Sequence, residues 1–330
     1  MQNPVLIEEY RGGLLENIHP GRICVVGPDR EVLFSAGDTA APLYYRSSSK
    51  PLQALAPLLD GLDKKYGLTV RETALLCGSH AGEPVHVETL LSMLEKIGAK
   101  EEDLLMLPTY PANQDAFREA IRLGLPPRKA WHNCSGKHAG AMVLQKEAAG
   151  SVAGYWKKDS PAQQKILSVI AEMAEVTPAS IPIGVDGCGV PVFAVPLYNM
   201  ALSYLKLACP DMIASAPLRE AACRTVEAMK EYPVMVRGNG FLCTEINRDR
   251  NIVAKGGAKG VYCLALRRER IGIALKFDDG TEECWPIAIR RILEKLGYRD
   301  AQTLAMLDSL RPLSLTNDNN ETVGEYRPTF

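Results

Sequence analysis

The chain has 330 residues, enough for one large domain or two smaller ones at roughly 100 to 200 residues per domain. Apolar residues make up 46% and charged residues 23%, which excludes a disordered or fibrous chain. With 38 basic and 39 acidic residues the formal net charge is −1, no broad basic field for nucleic acid. No run approaches the roughly 20 apolar residues of a membrane helix, and residues 1–20 lack the apolar core of a secretory signal. A cytoplasmic protein with neither nucleic-acid nor membrane partners is therefore expected.

Residues 21–26 (GRICVV) and 31–35 (EVLFS), joined by a Gly-Pro-Asp-Arg turn, predict an antiparallel hairpin. Residues 46–51 (RSSSKP) precede LQALAPLLDGL, whose apolar residues recur at helical spacing, so the serines sit at a helix N-terminus where Pro51 is tolerated. From about 52 to 232 helical patterns dominate: HVETLLSMLEKIG, QDAFREAIRLG, SPAQQKILSVIAEMAEV and SAPLREAACRTVEAMKEYP. Loops rich in Gly, Ser, Cys and His interrupt them at 77–82, 133–138 and 186–189. Strands return with NIVAK, a GGAKG turn, VYCLAL and RIGIALKF, before the helix WPIAIRRILEKLG; residues 315–330 read as a polar tail. This order predicts an α+β fold in which one sheet is assembled from both chain ends. We expect a single domain over 1–330, with a sheet lobe at about 1–50 and 235–330 and a helical insertion at about 51–234.

Ser47 and Lys50 stand three apart, which on a helix places hydroxyl and amine on one face. An amine of depressed pKa can deprotonate a serine, and the helix N-terminus adds favourable potential for an oxyanion. An N-cap serine followed by a solvated lysine is the plainer alternative, and Ser48 and Ser49 lack the spacing. Ser79 and His80 lie in a small-residue loop that suits either ligand contact or a simple turn. Lys255 precedes Gly256-Gly257, where the glycines admit a ligand beside a sheet edge; the spacing is no dinucleotide fingerprint, because it opens no helix.

Nine cysteines scattered without a C-x-x-C pair do not form a disulfide framework and suit reduced, buried packing. Cys134 and Cys188 are nevertheless metal candidates, with Lys137, His132 and His138 nearby in sequence; the ordinary ligand choice would be one of the histidines. Gly136-Lys137-His138 lacks the upstream glycine and following Ser/Thr of a phosphate loop. Asp186, before Gly187, either accepts hydrogen bonds from a substrate ammonium or forms a turn.

Taken in order, Arg11-Gly12-Gly13 with Glu16-Asn17 and His19, RSSSKPLQALA (46–56), CGSH (77–80), NCSGKHAG (133–140), DGCGVP (186–191) and AKGGA (254–258) resemble the rhizobial-type L-asparaginases, often labelled asparaginase II. The resemblance runs over nearly the whole chain. It implies a serine β-lactamase-like fold, hydrolysis of L-asparagine to L-aspartate and ammonia, a homodimer and a bound zinc. It pairs Ser47, the nucleophile, with Lys50, its base, and Ser79 with Lys255. It assigns Cys134, Lys137 and Cys188 to zinc, with Lys137 neutral, and brings Asp186, His138 and Arg46 to the substrate. The chain departs from the pattern at Ser48-Ser49 and at Ala81-Gly82, both beside the proposed catalytic serines. A glutaminase or another Ser-x-x-Lys amidohydrolase would keep the same residues, as would a catalytically silent amino-acid or zinc-binding protein.

Overall fold

The structure is a computed structural model describing residues 3–330. The chain opens with strands β1 (Val5–Arg11), β2 (Leu14–Val26), β3 (Val32–Ala36) and β4 (Pro42–Tyr44). It passes through a long helical stretch that carries only β5 (Ile183–Val185) and β6 (Pro191–Pro196). Strands β7 (Ile252–Gly257), β8 (Val261–Leu266), β9 (Ile271–Phe277), β10 (Ser314–Thr316) and β11 (Thr322–Pro328) follow. The main sheet runs β10-β11-β1-β2-β9-β8-β7, with β3 paired to β2, and every pairing is antiparallel. The α+β architecture with a sheet built from both chain ends is thus as expected.

Strands β7 and β8 are buried along their whole length, which is why they read as unbroken apolar runs rather than alternating ones. Helix Leu197–Ala208 packs across β8, β9 and β2. It comes so close to β9 that a Cβ on Gly272 would lie 2.1 Å from the Ala201 carbonyl oxygen. In the helical lobe, helix Lys50–Leu59 is buried all round between helices Ser135–Ala149, Pro161–Ala174 and Ala216–Glu231. Ser160 and Ser215 cap two of these, each accepting a backbone N–H with proline just behind it.

Two expectations need correction. Residues 315–330 are no loose tail: β10 and β11 form a hairpin, and β11 pairs with β1 from Ile7 opposite Pro328 to Arg11 opposite Gly324. Backbone pairing recruits this polar segment as an outer part of the sheet, with Tyr326 its one buried side chain and an Asn-rich turn at 317–320. The NCSGK segment is not a loop either, because the helix begins at Ser135 and includes Lys137 and His138. Its glycine is there for packing: a Cβ on Gly136 would meet the Leu75 carbonyl oxygen at 2.3 Å. The sequence reading also omitted helices Leu197–Ala208 and Ala301–Leu310. Among the described residues no helix is long and apolar enough to cross a membrane.

Gly272→Ala forces helix Leu197–Ala208 off the sheet. We expect it to cost about 1–3 kcal/mol in urea-induced unfolding, the usual range for overpacking.

Candidate active site

The small sheet β4-β6-β5 holds together two motifs that lie far apart in the sequence. Strand β4 leads into Tyr45, whose N–H donates to the Phe193 carbonyl at 3.0 Å, and then into a 3-10 turn, Arg46–Ser49, that runs on as helix Lys50–Leu59. Strands β5 and β6 enclose the tight turn bearing Asp186, Gly187, Cys188 and Gly189. Arg46 takes a left-handed φ of +50°, unfavourable for a side chain of its size. Its guanidinium holds Asp186 through Nη2 at 2.8 Å and Nε at 2.9 Å, so the ion pair locks the residue that immediately precedes Ser47.

Ser47, Ser79, Lys255, Arg237, Glu282 and Trp285 line one cleft of about 230 Å³. Lys50 lies fully buried, with Nζ donating to Ser79 Oγ at 2.8 Å and to the Asn133 carbonyl at 3.1 Å. The hydrogen bond therefore joins Lys50 to Ser79, where the resemblance paired Lys50 with Ser47. Lys255, expected beside Ser79, donates to the Gly256 carbonyl at 2.7 Å. The reason is burial: Ser47 is half-buried at the cleft, whereas the Lys50 side chain turns inward and finds its acceptors on two other segments.

Glycines bring these segments together. A Cβ on Gly257 would lie 2.5 Å from the Tyr45 carbonyl oxygen, so β7 fits directly against the Ser47 turn. A Cβ on Gly78 would lie 2.3 Å from the Met235 carbonyl oxygen. The Ser79 N–H donates to the Val236 carbonyl at 2.9 Å, and Arg237 Nη1 returns a bond to the Ser79 carbonyl at 2.8 Å. Ser48 and Ser49 donate to the Tyr45 and Arg46 carbonyls at 2.6 and 2.9 Å; both face inward and stabilise the turn.

Burial pushes the Lys50 amine below its ordinary pKa and brings Lys255 down to about 8. Neither amine forms an ion pair with a carboxylate among the described residues. His80, fully buried and stacked on His86, is held neutral by desolvation, with Nε2 on Ser135 Oγ at 2.7 Å, which makes it a structural residue.

Cys134, Lys137, Cys188 and Asp186 form a second polar cluster. Lys137 Nζ contacts Cys188 Sγ at 3.2 Å and Asp186 Oδ2 at 3.4 Å. A hydrogen bond from Cys188 and the nearby Lys50 and Lys137 charges push Cys134 well below the thiol range. Burial pulls Lys137 down, but Cys134, Cys188 and Asp186 outweigh it and keep the ammonium above its ordinary value. Lys137 is thus a cation in this arrangement, whereas a metal ligand must be neutral. Among the described residues no three His, Cys, Asp or Glu side chains converge as a metal site. Two sulfurs and an amine do converge, a donor set that fits a thiophilic ion once Lys137 loses its proton. His138 stands beside the cluster with Nδ1 2.6 Å from the Tyr155 hydroxyl, and its buried Nε2 is unpartnered.

The resemblance brought Asp186, Arg46 and His138 to the substrate, but none of the three is among the residues lining the cleft with Ser47. Asp186 is occupied by Arg46, Lys137 and the Gly187 N–H. Sequence reasoning missed Arg237, Glu282 and Trp285, which line the cleft without any local chemical signature, and gave no role to Asn133, which stands in the NCSGK motif and lines it too.

The family model for L-asparaginase II matches residues 7–328. No curated protein matches the chain. Among solved structures the chain is similar to Mglu in its native form in 4.3 M NaCl, at 15% identity and a TM-score of 0.46, covering 85% of this chain and 62% of that one. It is also similar to a putative β-lactamase from Bacteroides dorei DSM 17855, at 15% identity and a TM-score of 0.44, covering 83% of this chain and 93% of that one. A Bacillus glutaminase in 4.3 M NaCl gives 15% identity and a TM-score of 0.38, covering 84% and 91%. The chain spans less than two thirds of the Mglu chain, and likenesses this remote assign no substrate.

The buried Lys255 amine makes stability depend on pH in one direction. The folded amine gives up its proton near pH 8 while the unfolded one keeps it until about 10.5, so stability rises with pH across that window. Chemical denaturation of wild type and Lys255→Met between pH 7 and 10 should show wild type gaining on the variant above pH 8, by at most about tenfold in unfolding constant per pH unit.

Proposed function

The chain belongs to the L-asparaginase II family, and from that premise we propose that it is an amidohydrolase that cleaves the side-chain amide of L-asparagine, giving L-aspartate and ammonia. The observation that carries this reading is the gathering of Ser47, Ser79 and Lys255 around one small cleft, with the Lys50 amine buried against Ser79.

The Ser47 hydroxyl attacks the amide carbon, its proton passes to a neutral lysine, and the C–N bond breaks as the lysine returns that proton to the departing amide nitrogen, which leaves as ammonia. Water then hydrolyses the aspartyl ester and restores the hydroxyl. Lys255, brought down to about 8, has a useful neutral fraction at neutral pH. Lys50 and Ser79 form a relay that moves a proton without exposing a charge to water. The helix start at residues 46–50 places positive potential beside the developing oxyanion. The 2.8 Å Lys50–Ser79 bond favours a second reading, in which Ser79 is the nucleophile and Ser47 a proton carrier.

Cys134, Lys137 and Cys188 would hold zinc, which when bound supplies positive charge beside this site. Asp186 would remain engaged with Arg46 and keep the turn before Ser47 in place. The protein would work as a cytoplasmic homodimer on a small-molecule substrate.

Ammonia release measured with L-asparagine and with L-glutamine tests the reaction, and no release from either would overturn it. Ser47→Ala should lose at least about a thousandfold in kcat while keeping the wild-type circular dichroism; intact-mass trapping of an ester on Ser79 instead of Ser47 would favour the second reading. The logarithm of kcat/KM should rise as pH climbs through about 8, as Lys255 becomes neutral, and Lys255→Arg should abolish that limb. Elemental analysis should find roughly one zinc per chain, lost in Cys188→Ala.

A further inference from the structure

The charges that line the cleft are few and of opposite sign. Arg237 has no ion-pair partner among the described residues: Nη1 donates to the Ser79 carbonyl at 2.8 Å, and its guanidinium carbon stands 4.8 Å from the centre of the Phe241 ring. The remaining guanidinium donors have no acceptor among the described residues. Glu282, which is exposed, is the only carboxylate among the lining residues. One of its oxygens, Oε1, accepts the Lys259 N–H at 3.2 Å, and among the described residues it forms no ion pair. The charged residues expected to meet substrate, Arg46 and Asp186, neutralise each other outside this lining.

We propose that this cleft selects a free α-amino acid by its two charges, with Arg237 receiving the α-carboxylate and Glu282 the α-ammonium while the side-chain amide reaches Ser47 and Ser79. The inference rests on the amide-hydrolysis reading and narrows its substrate class. A guanidinium fork matches a carboxylate in two parallel hydrogen bonds, which an ammonium on lysine does not reproduce. The Ser79 carbonyl holds that guanidinium, and the Ser79 N–H donates to Val236 next to it, so two hydrogen bonds tie the segment of the carboxylate anchor to the segment of the Ser79 hydroxyl. At about 230 Å³ the cleft is below the roughly 300 Å³ at which pockets for drug-sized ligands begin. An asparaginyl residue inside a peptide has neither charge, so it would leave both Arg237 and Glu282 without a partner. Arg237 and Glu282 are specificity residues, and the predicted signature is that each one responds to one charge only.

The test uses three ligands: L-asparagine, succinamate, which lacks the amine, and β-alaninamide, which lacks the carboxylate. Binding is measured by calorimetry on wild type, Arg237→Gln, Arg237→Lys and Glu282→Gln, and ammonia release is measured on the same samples. Arg237→Gln should weaken asparagine and succinamate roughly tenfold or more and leave β-alaninamide within about twofold. Arg237→Lys should recover part of the loss. Glu282→Gln should weaken asparagine and β-alaninamide and spare succinamate. Equal losses for all three ligands, no effect of Glu282→Gln, or no binding to wild type would overturn the proposal. If Arg237→Gln fails to fold, the Arg237→Lys and Glu282→Gln patterns decide alone. Charge-selective binding without ammonia release would refute hydrolysis and leave this inference standing; release with unselective losses would do the reverse.

Discussion

A single lysine amine, fully enclosed, ties the active region together. Lys50 Nζ has no access to solvent and takes its acceptors from Ser79 and Asn133, so the Ser47 helix, the CGSH loop and the start of the Ser135–Ala149 helix meet at one nitrogen. Burying an amine is unfavourable unless it loses its charge or is well bonded, and here burial lowers its proton affinity while two acceptors take its hydrogen bonds. The surrounding helices are arranged to tolerate it: Lys50–Leu59 lies in the middle of the lobe, enclosed by three other helices.

The two polar clusters share this anchor. Lys50 feels the charges of Cys134, Lys137, Cys188 and Asp186, and Asp186 reaches Arg46, the residue with the strained backbone ahead of Ser47. The thiol-amine cluster and the serine cleft are therefore coupled through one lysine and one ion pair. A change in charge at Cys134 or Lys137 would shift the proton affinity of Lys50 and, through it, the hydrogen bond to Ser79. That coupling gives the cluster a way to influence proton transfer without touching the substrate.

Hairpins, caps and amphipathic helices were legible in the sequence because each depends on local chemistry. The Gly-Pro-Asp-Arg turn between β2 and β3 and the helical patterns that follow Ser160 and Ser215 are examples. The C-terminal hairpin was not legible, since its side chains are polar and its pairing with β1 is a matter of backbone hydrogen bonds across the length of the chain. The helix at Ser135 was hidden by glycine and serine, which are poor helix formers and are present because Leu75 and His80 pack against them.

For the site, it was the resemblance carried by the motifs in their order along the chain that put forward Ser47, Lys50, Ser79, Lys255, Cys134, Lys137 and Cys188 as one group; each motif by itself also fitted an ordinary turn, cap or packing role. Which amine bonds which serine was decided by the tertiary structure, since a three-residue spacing brings two side chains to one face without choosing their partners. Arg237 and Glu282 were likewise beyond the sequence: an isolated arginine and glutamate in ordinary loops stand out only when the fold brings both to the lining of the same cleft. Local composition thus determined the hairpins and amphipathic helices and supplied the motifs that carry the resemblance, whereas the contacts of the lysines and serines and the charges that line the cleft depend on distances between remote segments, which only the tertiary structure sets.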